Sequence, residues 1–214
     1  MNFSWGSGQL PLTGRFRRRL PEMLEEEYEQ RRQLPQHLRP VPAAEPGFEY
    51  SIREAIAADL PSVREIYNHY VLNSSITFDD GAQTLAAVRK KFATSEKLGM
   101  PYLVAESPGG QILGVAWVFP WQGNAANRRS VELSIYLGPA ATGRGLGKAL
   151  LERLLGDAKA AGVRDVIVVI ADKGAEASIQ MHKKFGFKET GRMGKVGFKY
   201  GRWLGTVTLQ KSLK

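Results

Sequence analysis

Residues 138–151 read GPAATGRGLGKALL, with glycines at 138, 143, 145 and 147 and cations at Arg144 and Lys148. The run that follows is apolar and helix-favouring. Glycines ahead of a helix let backbone N–H groups approach an anion closely, and the positive helix end favours it. A plain turn is the other reading of the same residues. Spacing tests two phosphate motifs. A P-loop needs four residues between its first glycine and Gly-Lys-Ser/Thr. Here Gly143 to Gly147 leaves three, and Ala149 stands where a hydroxyl should be. A dinucleotide fingerprint needs Gly-x-Gly-x-x-Gly, and Leu150 occupies its third glycine position. Both motifs fail.

A carboxylate precedes the loop, in VELSIYL. Strand alternation puts Val131, Leu133, Ile135 and Leu137 on one face and Glu132, Ser134 and Tyr136 on the other. A strand glutamate is ordinarily solvent-facing. On a central strand covered on both faces, the polar side would instead line a cleft. His182, in QMHKKFGF, is either a group able to donate a proton near neutral pH or a histidine at a core edge.

The elements that must hold these residues follow from periodicity. FEYSIREA reads as a strand, and ADLPSVREIYNHYVLNSS as a helix with Asp59 as N-cap. Its apolar face is Val63, Ile66, Tyr67, Tyr70 and Val71. A second helix starts near Thr84 and carries Leu85, Val88 and Phe92. YLVAE and QILGVAWVF flank a glycine-rich turn as a hairpin. After VELSIYL and the glycine loop comes a helix stopped at Gly162. DVIVVIA is apolar throughout, as a strand buried on both faces should be. EASIQMHKKFGF is a further helix, closed by Gly186, and GFKYGRWLGTVTLQK gives the final strand. The order β-α-α-β-β-β-α-β-α-β predicts an α/β fold on a mixed sheet with a central β-α-β crossover.

Composition bounds the function. The chain has 214 residues, of which 43% are apolar, and no apolar run approaches the roughly 18 residues of a membrane span. There is no secretory h-region, although four arginines before Glu22 weakly resemble an organelle presequence. A cytoplasmic protein is expected. Cysteine is absent, which excludes disulfides, thiolate metal sites and an acyl-cysteine intermediate. Residues 1–47 carry six of the 11 prolines and a net charge of +1, whereas residues 48–214 carry +8. The first segment reads as a partly ordered extension with one helix in PEMLEEEYEQRRQL, the second as the folded domain. Its basic surface favours anions, but its cations are spread along the chain and no nucleic-acid-binding signature is present.

The motifs together resemble the GCN5-related N-acetyltransferases, in the branch of phosphinothricin N-acetyltransferases and L-amino-acid N-acyltransferases. ADLPSVREIYNHYV, ITFDD, YLVAE, VFPW, VELSIYL, GRGLGKALLE, VVIADKGAEASIQMHKKFGF and VGFKYGRWL run in order over residues 50–210. The resemblance implies helices on both faces of a mixed sheet whose strands splay apart around acetyl-CoA, with no metal. It implies that Ile135, Tyr136 and Leu137 hold the pantetheine arm, the last with Ile135 through backbone groups. Gly143, Arg144, Gly145, Leu146, Gly147 and Lys148 would hold the pyrophosphate, and Ser178 would help seat the cofactor. Glu132 would be the general base, and a backbone N–H near Ile135 or Tyr136 the oxyanion donor. His182 would protonate the leaving thiolate. Phe78, Arg128, Ser134 and Lys199 would meet the amine substrate, with Arg128 suited to a carboxylate or phosphinate.

Some positions depart from the family pattern. Thr142 stands where Gln or Arg opens the loop, Ala175 replaces an Asn, Gly205 replaces an acid, and NAANRRS lacks aromatics beside Arg128. The expectation is an acetyl-CoA-dependent N-acetyltransferase acting directly on the α-amine of a small amino acid or analogue, as a homodimer. Two alternatives are another amine, such as a polyamine or protein N-terminus, and an acyl-CoA-binding module without turnover.

Overall fold

The computed structural model describes residues 48–123, 125–127 and 129–214. The expectations for residues 1–47, and for Arg128, lie outside them. Seven strands form one open sheet: β1 (Ser51–Glu54), β2 (Tyr102–Glu106), β3 (Ile112–Pro120), β4 (Ser130–Leu137), β5 (Asp165–Ala171), β6 (Lys188–Lys199) and β7 (Arg202–Ser212). Their spatial order is β1-β2-β3-β4-β5-β7-β6, and β4 with β5 is the parallel pair. The helices are α1 (Leu60–Asn73), α2 (Leu85–Lys97), α3 (Leu146–Ala160) and α4 (Glu176–Lys184).

The sheet separates two apolar cores. On one side Leu146, Leu150, Leu151, Leu154 and Ala158 of α3 and Ile179 of α4 pack on Val131, Leu133, Val166 and Val168. On the other, Val63 and Ile66 of α1 and Val88 and Phe92 of α2 cover Tyr102, Val104, Val115 and Trp117. Each fully buried leucine contributes about 1.5–3 kcal/mol. The alternation expected for β4 is what feeds both cores: Val131, Leu133, Ile135 and Leu137 meet the first, and Tyr136 the second.

Two local expectations need correction. Asp59 precedes α1, but its carboxylate accepts no helix N–H. It accepts from the Ile56 N–H at 2.8 Å and from both terminal nitrogens of Arg53 at 2.7 and 2.9 Å. Arg53 also donates to Glu106, tying β1 to β2 and to the start of α1. Its guanidinium holds the Asp59 carboxyl below the usual range. The second correction concerns the C-terminus, where a hairpin replaces the single expected strand. β6 carries Lys188, Glu189, Arg192 and Lys195 and is exposed almost throughout, so no apolar alternation marks it. Such an edge, charged and broken by register shifts after Glu189 and Met193, resists pairing with a stray strand. Tyr200 and Gly201, both at positive φ, make the two-residue turn into β7.

Candidate active site

The central strands part company halfway. β4 pairs with β5 at Ser130↔Asp165, Val131↔Val166 and Glu132↔Ile167, and no further. β3 nevertheless holds β4 as far as Leu137, and β7 holds β5 as far as Ala171. Beyond Glu132 the facing edges therefore diverge around a cleft of about 570 Å³. Glu132, Ser134, Ile135, Tyr136 and Leu137 line it from β4, Val168 and Ile170 from β5, and Ser178, Met181 and His182 from α4. The glycine loop closes one end with Thr142, Gly143, Gly145, Gly147 and Lys148.

The loop is built to present amides. Gly143 and Gly145 have φ of +73° and +83°, which a side chain would strain. Gly145 is the residue before α3, and the N–H groups of Gly143, Gly145, Leu146 and Gly147 donate to no backbone carbonyl among the described residues. The Lys148 N–H is different, since it donates to the Gly145 carbonyl at 3.0 Å. Leu146 offers only its amide, its side chain being wholly buried in the core. Arg144 lies outside the cleft lining, with its guanidinium 4.4 Å from the centre of the Phe48 ring. Thr142 donates to the Pro139 carbonyl at 3.0 Å. A second groove of about 640 Å³ continues past Lys148 to Gln180 and Lys184 of α4.

Glu132 is half-buried and makes no hydrogen bond or ion pair among the described residues. Burial raises its pKa, and the positive charge of Lys91 partly offsets this. Lys91, on α2, escaped the sequence reading. It falls three residues after Val88, at the edge of an apolar face whose other side gave the only signal. The residue is exposed as a whole, and its amine lies 4.8 Å from the Trp117 ring centre and 5.7 Å from that of Phe119. That crowding lowers its pKa, while Glu132 and Asp79 act to raise it. Phe119 is the β3 partner of Glu132 and Trp117 that of Ser134, so Lys91 sits over the carboxylate's face of the strand.

Aromatic rings floor this side. Tyr136 stacks on Trp117 at 5.5 Å and meets Tyr67 edge-on at 4.9 Å. Tyr67 donates to Asp79 at 2.6 Å, as does Gln83 at 2.9 Å. Tyr70 donates to the Leu137 carbonyl at 2.7 Å, at the cleft itself.

His182 is 2% exposed. Its Nδ1 lies 2.8 Å from the Ser178 carbonyl, its Nε2 is buried without a partner among the described residues, and burial lowers its pKa. An unpaired buried polar atom costs about 1–3 kcal/mol.

Phe78 and Lys199 meet each other's surroundings and do not line the cleft. The Lys199 amine is buried and donates to the Thr77 carbonyl and hydroxyl, both at 3.1 Å. The edge of the Phe78 ring abuts Gly197, where an added Cβ would come within 2.6 Å of its Cδ1 and Cε1 atoms. Tyr200 donates to the Val71 carbonyl at 2.9 Å. The tip of the β6–β7 hairpin thus clasps the segment after α1. Gly205, unexpected by family pattern, is explained sterically. Asp172 fills the space of its missing side chain, and an added Cβ would fall 2.5 Å from that carboxylate and 2.6 Å from the Met193 carbonyl.

A mixed sheet that parts over an amide-rich loop, with a raised-pKa carboxylate at the fork, is the frame of an acyl-transfer enzyme. A family model described as "Acetyltransferase (GNAT) family" matches residues 62–187, and the chain belongs to that family. The resemblance and fold expected from sequence are borne out. The chain is 38% identical over 163 residues to the L-methionine sulfoximine/L-methionine sulfone acetyltransferase of Pseudomonas aeruginosa, covering 76% of this chain and 94% of that one. It is 37% identical over 165 residues to the L-amino acid N-acyltransferase MnaT of Escherichia coli, with coverage of 76% and 94%. Among solved structures, a phosphinothricin acetyltransferase from Sinorhizobium meliloti in complex with acetyl-CoA is 41% identical, with a TM-score of 0.73 and coverage of 76% and 88%.

Proposed function

We propose that this chain transfers the acetyl group of acetyl-CoA to the α-amine of a small amino acid or analogue, with Glu132 as general base. The parting of β4 from β5 immediately after Glu132 supports the reading most, because it leaves a carboxylate on the wall of a cleft that ends on amides. The donor fits these residues. The N–H groups of Gly143, Gly145, Leu146 and Gly147 suit a pyrophosphate, and Lys148 and Lys184 continue the positive wall. The relatives' named substrates, L-amino acids and methionine derivatives, support the acceptor.

Glu132 takes the proton that keeps the amine from attacking, and its raised pKa makes it a stronger base than a solvated carboxylate. The freed nitrogen attacks the thioester carbonyl. A β4 N–H near Ile135 or Tyr136 stabilises the developing oxyanion, and the C–S bond breaks. Transfer is direct, since no cysteine is available to carry the acetyl group. Residues 48–214 are the catalytic unit in this reading, and a chain beginning at Phe48 retains turnover. Two copies associate, a reading supported by exposed Met193, Val196, Phe198 and Trp203 on the terminal hairpin.

Release of free CoA with a panel of amino acids, compared between wild type and Glu132→Gln, tests the proposal. Amine-stimulated release that collapses in the variant supports it. No stimulated release, with acetyl-CoA still raising thermal stability, would establish a binding module instead.

A further inference from the structure

His182 is a buried ionisable group for which the mechanism above has no task. Its ring lines the cleft one helical turn beyond Ser178, edge-on to Phe187 at 5.1 Å. The partner of Nδ1 decides its chemistry. That atom lies 2.8 Å from the Ser178 carbonyl oxygen, and a carbonyl oxygen can only accept. Nδ1 therefore carries a hydrogen. The Ser178 hydroxyl, at 3.5 Å, is too far to compete. A neutral imidazole has one such hydrogen, so Nε2 is left with its lone pair. This Nε2 is buried and has no partner in the described residues. Buried polar atoms are nearly always paired, and this one belongs to a ring that lines the cleft, where a ligand can supply the partner.

We infer that His182 is a fixed hydrogen-bond acceptor for the acyl donor, receiving at Nε2 an amide N–H of the donor's arm, and is not the acid that protonates the departing sulfur. The inference rests on the acetyl-transfer reading. The surroundings agree with a neutral ring. Burial disfavours the imidazolium, and no charged side chain contributes to its titration. Glu132 and Lys148 are the charged residues that share the cleft lining, and Glu176, Lys183 and Lys184 lie on the same helix. The balance of the reaction closes without His182 as donor. The N–C bond forms, the C–S bond breaks, and sulfur leaves with the electron pair. The proton lost by the amine passes to Glu132 or water, and sulfur is reprotonated from that pool.

The test uses the full chain labelled with ¹⁵N-histidine, with His182→Gln assigning one of the three histidines. Ring spectra from about pH 5.5 to about pH 9 should show the Nδ1–H tautomer for His182 throughout neutral pH. Saturating acetyl-CoA should move its Nε2 resonance. A shift with both acetyl-CoA and CoA supports the amide donor, and a shift with CoA alone overturns it. An Nε2–H tautomer, an imidazolium at pH 7, or an Nε2 resonance unmoved by acetyl-CoA that does bind overturns the inference.

Kinetics give a second arm. His182→Gln keeps an acceptor near Nε2, and its kcat should stay within about threefold of wild type, whereas His182→Phe should raise KM for acetyl-CoA about tenfold with kcat little changed. A hundredfold fall of kcat in His182→Gln, with loss of the basic limb of the wild-type pH profile, would restore the acid role. Failure of acetyl-CoA to stabilise the wild type would instead sink the acetyl-transfer reading, and the tautomer of the free protein would still be read.

Discussion

Glu132 and Ile167 are the last pair that β4 and β5 share. Above that pair each strand keeps only its outer neighbour, so the Glu132 carboxylate stands at the fork of the sheet. A carboxylate there is shielded by the strands on one side and reached from the cleft on the other. Its position sets both its raised pKa and its access to a ligand lying between the strands.

Replacing Glu132 by Gln should lower kcat/KM by about 10²–10⁴-fold, the usual share of a general base. The same variant should melt higher than wild type at neutral pH. Burial holds the folded pKa above the unfolded one, so stability from this group is full only below the unfolded value and is lost as pH rises through the folded one. Glutamine carries no such penalty. Melting curves should show the gain at pH 8 and its disappearance as pH falls toward 4.

Lys91→Met should move the acid limb of kcat/KM to higher pH. The Lys91 charge favours the Glu132 carboxylate, so its loss lets burial raise that pKa further. The loss of activity should be larger at pH 6 than at pH 8.5. A pH–rate profile that merely scales down at every pH would rule this coupling out.

Two glycines of the loop should respond oppositely. Gly145 sits at φ +83°, so Gly145→Ala should destabilise the protein by about 1–2 kcal/mol. Gly147 is helical, and an added Cβ meets only the Leu137 and Met181 side chains at 3.5 and 3.6 Å. Gly147→Ala should leave stability unchanged or raise it by up to about 1 kcal/mol, yet raise KM for acetyl-CoA by crowding the cleft wall. Thermal denaturation beside acetyl-CoA titration separates the two.

Lys199→Met should leave the Thr77 carbonyl and hydroxyl unpaired inside the protein, at a cost of about 1–3 kcal/mol. The loss should be local to the clasp. Hydrogen exchange should quicken in residues 74–81 and at the hairpin tip before it does in α3.

Much of this site was legible in the sequence, for physical reasons. Period-two alternation in VELSIYL placed Glu132 opposite Val131 and Leu133, and positive-φ glycines marked the loop. What stayed hidden was set by packing between distant segments. β6 has no apolar period because its exposed side chains face solvent along its length. Asp59 is drawn from helix capping by Arg53, whose placement no local rule fixes. Lys91 reaches the carboxylate's face only because α2 lies across Trp117. Lys199 is close to the expected region, yet its amine is taken by Thr77. The burial of His182, which lowers its pKa, comes with the Phe187 ring set edge-on against it.

Because β4 shows a different core on each face, it acts as a partition between two halves of one reaction. Its Val131, Leu133, Ile135 and Leu137 face rests on the core that α3 builds after the glycine loop, while Tyr136 meets Tyr67 and Tyr70 of α1 and stacks on Trp117. Repacking under α1 and α2 can reshape the amine's side with the loop left untouched. Under the acetyl-transfer proposal, donor recognition and acceptor choice are separately tunable in a single chain, one strand's thickness apart.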